Sequence, residues 1–170
     1  ITFSRTAILA GIFATFFFLR KKALMVTALF LLLASPLLFT RFTAIFNYDH
    51  LTILRREELA ESALELFFKS PLIGVGLNNF IPSLSSGLVS GPSRFLQPAH
   101  NIFLLDLAET GAVGLLGFLV LIGYPLYQLS RNRKWLLIWA VVIFLGMFDH
   151  YFLTLPQGYR MLFLIWGLSL

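Results

Sequence analysis

Long apolar runs alternate with short polar breaks along this chain, and the runs have the length of membrane helices. A span needs about 20 predominantly apolar residues. Such runs cover Thr2 to about Leu19, Ala23 to about Phe39, Asn101 to about Leu129 and Trp135 to about Phe148. A last one starts near Gly158 and reaches Leu170. The third is the longest and contains Gly111, Gly114, Gly117, Gly123 and Pro125, which predicts a tilt or a kink. The pattern predicts an all-α, polytopic transmembrane helix bundle of about five spans. Residues 1–40 hold two spans and residues 101–170 hold three, the last truncated. Residues 41–100 form a connection of about 60 residues, far longer than a bundle needs.

Inside that connection the pattern becomes amphipathic. "ILRREELAESALELFFKSP" reads as a helix ended by Pro71. At about 100° per residue, Leu59, Ala60, Ala63, Leu64, Leu66 and Phe67 share one face. Glu58, Glu61, Ser62, Glu65 and Lys69 fall on the other, with Glu65 and Lys69 spaced to pair. Arg56 lands within the apolar face and Arg55 at its rim, where water solvates it. A charge in an apolar face needs an anionic partner, or a frayed turn that lets it snorkel to water. "SPLIGVGLNNF" then reads as a tight turn rather than a phosphate loop, since no third glycine and no strand accompany Gly74 and Gly76. "SLSSGLVSGPSRFLQP" is a Ser/Gly/Pro-rich loop that closes over a substrate or merely connects.

Composition sharpens the class. The chain is 58% hydrophobic and 12% charged, where soluble domains are about a quarter charged. It reads as a piece of a larger integral membrane protein, since it begins at Ile1 and stops at Leu170 within an apolar run. It has no cysteine, so disulfides and thiol chemistry are excluded. The net charge is +5, but its distribution is lopsided. Two short loops, Arg20-Lys21-Lys22 and Arg131-Asn132-Arg133-Lys134, hold six of the 13 basic residues and no acid. Two spans separate them, so they share a side, and the positive-inside rule makes it cytoplasmic. The basic excess is therefore a topology signal and not a nucleic-acid patch. Arg5, the 41–100 segment and the loop from Asp149 to Gly158 then lie on the outer side of a multi-pass cytoplasmic membrane protein.

Ionisable groups next to or within spans mark candidate chemistry. His100 precedes the third span and can exchange a proton near neutral pH, or simply cap the helix at the interface. Asp106 and Glu109 are three apart on one helix face. They serve a site, pair with arginines, or tie helices together. "FDHYFLTLPQGYR" adds Asp149, His150, Gln157 and Arg160 on the same side. Asp149 is placed to hold an arginine or orient a hydroxyl, or is a turn residue in the headgroup layer. His100, Asp106, Glu109, Asp149 and His150 carry enough donor atoms for a metal, but in no recognised ligand spacing, and no metal is expected.

Four features, over nearly the whole chain, carry a resemblance. They are "FSRTAILA" with its Ser-Arg, Arg56 at 15 residues before "PLIGVG", "SPLIGVGLNNF" itself, and "HNIFLLDLAETGAVGLLG". In this order they resemble the C-terminal half of the O-antigen ligase and O-antigen polymerase-like membrane glycosyltransferases. Ala60 departs from the pattern, where many members have Trp. The resemblance implies a metal-independent, inverting glycosyltransferase acting outside the cytoplasmic membrane, without a cofactor. Its donor would be a glycan on a polyprenyl (undecaprenyl) diphosphate, and its acceptor a lipid A-core, another glycan or a protein. It implies that Arg5 and Arg56 neutralise the diphosphate and that His100 is the base or positions the acceptor hydroxyl. Arg55, Asn101, Glu109, Asp149 and Gln157 are the accompanying substrate-binding candidates. The chemistry is consistent, since guanidinium groups suit a departing diphosphate and a hydroxyl nucleophile gains from a base. Two other classes compete: a transporter or flippase for an anionic lipid or solute, and a scaffolding membrane protein. A flippase needs polar groups at the midplane and the inner side, whereas these cluster at one surface. A scaffold leaves the long connection and Arg56 without a purpose.

Overall fold

The computed structural model describes residues 50–84, 96–128 and 132–169, together with isolated positions between 28 and 39. The chain divides into two compact units, Ile1–Leu54 and Arg55–Leu170. In the first, the isolated described positions (Ala28, Leu32, Leu33, Ser35, Pro36 and Phe39) are helical and exposed. The expected first span, Arg5 and most of the expected second span lie outside the described residues, as does most of the Ser/Gly/Pro-rich loop. The described residues contain helices, turns and coil and no strand. The helices are α1 (His50–Lys69), α2 (Phe80–Ser83), α3 (Ile102–Gln128), α4 (Arg133–Phe148), α5 (Tyr151–Thr154) and α6 (Pro156–Ser169).

Among these, α3 is the one helix long and apolar enough to cross a membrane. At the expected fourth and fifth spans stand α4 and α6, of 16 and 14 residues. Both are shorter than the roughly 20 residues of a typical span. They pack with α3 around a core of Ile102, Ile122, Trp139, Val142, Phe152 and Leu162. The indole N–H of Trp166 donates to the Leu121 carbonyl at 3.0 Å and joins α6 to α3.

The amphipathic helix forms as expected and stops before Pro71, which lacks the N–H to continue it. Its buried stripe differs from the expected face. Leu59, Ser62, Ala63 and Leu66 are buried, while Leu64 is exposed. These four are spaced i, i+3, i+4 and i+7, the register of a single contact line. Leu59, Ala63 and Leu66 pack against Phe80, Ala99, Leu105 and Ala108. Ser62 tolerates burial because its hydroxyl donates to the Glu58 carbonyl of its own helix, at 2.7 Å. Arg56 consequently stands exposed, and Arg55 is the more buried of the two.

The kink of α3 falls at Gly111 (φ 68°, ψ −167°) and not at Pro125. A helix would bond the amide of residue 112 to the carbonyl of 108, and 113 to 109. Both bonds are replaced by the turn after α1. Ala112 N–H donates to Pro71 O at 2.8 Å and Val113 N–H to Leu72 O at 3.2 Å. In return Val75 N–H donates to Ala108 O at 3.0 Å and Gly76 N–H to Glu109 O at 2.8 Å. The turn is inserted into the helix break, and the break leaves none of these four groups orphaned, as an apolar environment requires. The part of α3 beyond the break, residues 112–128, is about 25 Å long at 1.5 Å per residue.

Candidate functional site

Each local element delivers one polar group to the same place. Ala99 is buried against the α1 contact line, so the residue after it is held at the foot of α3. Asn101 then caps that helix. Its side-chain oxygen accepts the N–H of Phe103 at 2.8 Å and of Leu104 at 3.1 Å. Between the buried Ala99 and this cap, His100 has little freedom, and its Nδ1 is buried without a hydrogen-bond partner.

The second strand of the site comes from the joint between α4 and α5. Asp149 leaves the helix in an extended conformation and is 5% exposed. Its Oδ1 accepts the backbone N–H of His150 at 2.9 Å. Asp149 also acts on the Tyr151 hydroxyl. The His150 ring meets the His100 ring edge to face, with centroids 5.1 Å apart at 76°. One nitrogen of each imidazole and one Asp149 oxygen lie within 4.8 Å of one another.

Arg56, exposed on α1, acts on both imidazoles through its charge. Burial is the first cause that lowers the His100 pKa, to about 4, followed by the Arg56 charge and His150, with Asp149 opposing. Burial also lowers His150; Asp149 pulls the other way and Arg56 adds to the lowering. Tyr151 is pushed up by burial first and then by Asp149. At neutral pH both imidazoles are therefore uncharged, beside Arg56 and Asp149. Such a group can bind an anion through Arg56 and accept a proton on an imidazole. Two imidazoles and a carboxylate are also donors that a zinc-type ion accepts. The charge of Arg56 opposes a cation there.

Of the candidates from the sequence, Arg56, His100 and Asp149 come together. Arg5 lies outside the described residues. Asn101 spends its side-chain oxygen on the helix cap. Glu109 Oε1 accepts the backbone N–H of Phe80 at 3.1 Å and so ties α2 to α3. Asp106 is buried, with Oδ1 at 3.2 Å from the Thr110 hydroxyl and Oδ2 without a partner. Arg55 has an interaction of its own within the structure. Gln157, exposed in the first turn of α6, is not among the groups that act on His100 or His150. Tyr151 and Thr154 are additions, and His150, named in the sequence only with the outer loop and as a possible metal donor, joins His100 here. The local signal for them is thin, since "DHYFLT" sets His150 and Thr154 one helical turn apart but says nothing of the foot of α3.

Residues 1–119 match the family described as O-antigen ligase. That match includes Arg56, the inserted turn and His100, and ends before Asp149 and His150. No curated protein and no solved structure matches the chain.

Proposed function

The chain belongs to the O-antigen ligase family, a family of membrane glycosyltransferases, and from that premise we propose that the cluster of Arg56, His100 and Asp149 is its transfer site. The donor is a glycan on a polyprenyl diphosphate, and the acceptor is a hydroxyl of a lipid, a glycan or a protein. The acceptor oxygen attacks the anomeric carbon as the bond from that carbon to the diphosphate oxygen breaks. The acceptor proton passes to His100. The departing diphosphate carries off the bonding pair, and Arg56 stabilises the charge, with Arg5 as a second guanidinium. Asp149 steadies the imidazolium that His100 becomes. The reaction needs no metal, because the guanidinium groups supply the positive charge. The site faces outward from the cytoplasmic membrane, opposite the two basic loops.

The observation that carries this reading is the meeting of Arg56 with a half-buried, uncharged His100. An anion-binding group and a proton acceptor within electrostatic reach are what displacement of a diphosphate by a hydroxyl requires. A transfer assay on the full-length protein with a polyprenyl-diphosphate glycan tests it. His100→Ala and Arg56→Ala should each cut transfer to a small residual rate while leaving membrane insertion intact. Full activity in both contradicts the reading. The chain has no cysteine, so a single cysteine at Ser86 also reports sidedness. Labelling from outside is expected, and labelling from the cytoplasm contradicts the orientation.

A further inference from the structure

We propose that His150 is a second anion-binding group of this site, a neutral imidazole whose Nε2–H donates to the departing diphosphate, held in that tautomer by Thr154. The inference rests on the glycosyl-transfer reading above. The Thr154 hydroxyl stands 2.6 Å from His150 Nδ1 and 3.1 Å from the His150 carbonyl. It has one hydrogen to give. The carbonyl already accepts the N–H of Leu153 at 3.0 Å and of Thr154 at 3.2 Å, which occupies both its lone pairs. A separation of 2.6 Å is also short for an N–H donating to oxygen. The hydroxyl therefore donates to Nδ1, and the ring proton resides on Nε2.

That assignment separates the two histidines by role. The lone pair of His150 is spent on Thr154, so its ring has no nitrogen free to take a proton. What it offers is an N–H at Nε2, and the hydrogen bond that the ring makes is the one at Nδ1. The backbone N–H of His150 is pinned to Asp149 and its ring stands against His100, so the ring is held at the cluster. Arg56 lies within electrostatic reach of both rings. A neutral donor beside a guanidinium binds an anion without the repulsion that a second cation would add. During transfer the bond from the anomeric carbon to the diphosphate oxygen breaks, and the charge that collects on the phosphate oxygens strengthens the hydrogen bond from His150. No proton leaves His150, and the acceptor's proton goes to His100.

The test uses the full-length protein, with donor kinetics and inhibition by inorganic diphosphate as two readouts. His150→Ala should lower kcat/KM for the donor roughly 10- to 100-fold, the usual loss for one hydrogen bond to a charged group. It should weaken inhibition by diphosphate comparably. His150→Gln, which keeps an N–H donor at that reach, should recover most of both. Thr154→Ser should behave as the natural protein, and Thr154→Val should lose roughly tenfold by freeing the tautomer. If His150→Ala fails to fold, the Gln and Val variants carry the test. Undiminished activity in His150→Ala, or a Gln variant as inactive as the Ala variant, overturns the inference. His100→Ala and Arg56→Ala run alongside. Their inactivity beside an active His150→Ala overturns only the role of His150, and their full activity overturns the transfer reading itself.

Discussion

Gly74 and Gly111 face each other backbone to backbone. A Cβ on Gly74 would run into the main chain of Glu109 and Thr110, and one on Gly111 into that of Leu72 and Ile73. Both glycines also have positive φ, of 66° and 68°. This contact is where the turn enters the break of α3, and it sets the position of everything before the break, His100 included.

Gly111→Ala and Gly74→Ala should each destabilise the fold. Backbone strain alone costs about 1–3 kcal/mol at such a conformation, and the clash with main-chain atoms adds to it. Gly117→Ala is the control, since a Cβ there meets nothing within 4 Å. It should be neutral or stabilising by up to about 1 kcal/mol, as alanine favours helix. Thermal unfolding in detergent would measure all three, and an unaffected Gly111→Ala would contradict the inserted-turn account.

Asn101 separates a structural from a substrate-binding role. As the cap of α3, its loss in Asn101→Ala should cost about 1 kcal/mol. Asn101→Asp keeps an oxygen acceptor and should restore stability and transfer together. A stable Asp variant that has lost transfer would instead place Asn101 on the substrate.

His100 gives a pH prediction with a definite sign. Its pKa is about 4 against the ordinary 6.5. The neutral, proton-accepting form therefore persists through neutral pH, and kcat/KM for the free enzyme should fall only as pH drops through about 4. Between 6.5 and 4 the unfolded chain binds a proton that the folded one does not, so stability should decline as pH falls through that window. His100→Gln should lose that share of the decline. Arg56→Gln removes a lowering influence and should raise the His100 pKa, whereas Asp149→Asn should lower it further. Histidine NMR titration would read these opposite shifts, and shifts of one sign would contradict the arrangement.

Chelation tests the metal-free mechanism. On the proposed mechanism, in which Arg56 stands in for a divalent ion, EDTA should leave the transfer rate unchanged. Activity lost with EDTA and regained with Mg²⁺ would contradict this and turn attention to His100, Asp149 and His150 as ligands.

Legibility in the sequence followed the range of the interactions. The helix over residues 50–69 and its stop at Pro71 are written in local periodicity and in the missing N–H of proline. The glycines of the third run announced a kink, but not which one would bear it. Gly111 was chosen by a partner some 35 residues away in sequence, the turn around Leu72–Gly76, and its backbone bonds leave no trace in residue type. Ser62 misled for a related reason, since a hydroxyl that bonds its own helix can be buried while its identity reads as polar. In the site, His100 and Arg56 stood out as ionisable groups beside apolar positions. His150 stood out only as an outer-loop residue and possible metal donor, and Thr154 not at all, because their place beside His100 depends on the joint of α4 and α5 meeting the foot of α3.

The central claim is that Arg56 and His100 serve one chemical step, and a double-mutant cycle on the transfer rate tests it most directly. Groups acting on one transition state are strongly non-additive. The Arg56→Ala/His100→Ala double variant should therefore be about as slow as the slower single variant. A double variant slower by the product of the two single losses would mean independent roles, and would contradict the account.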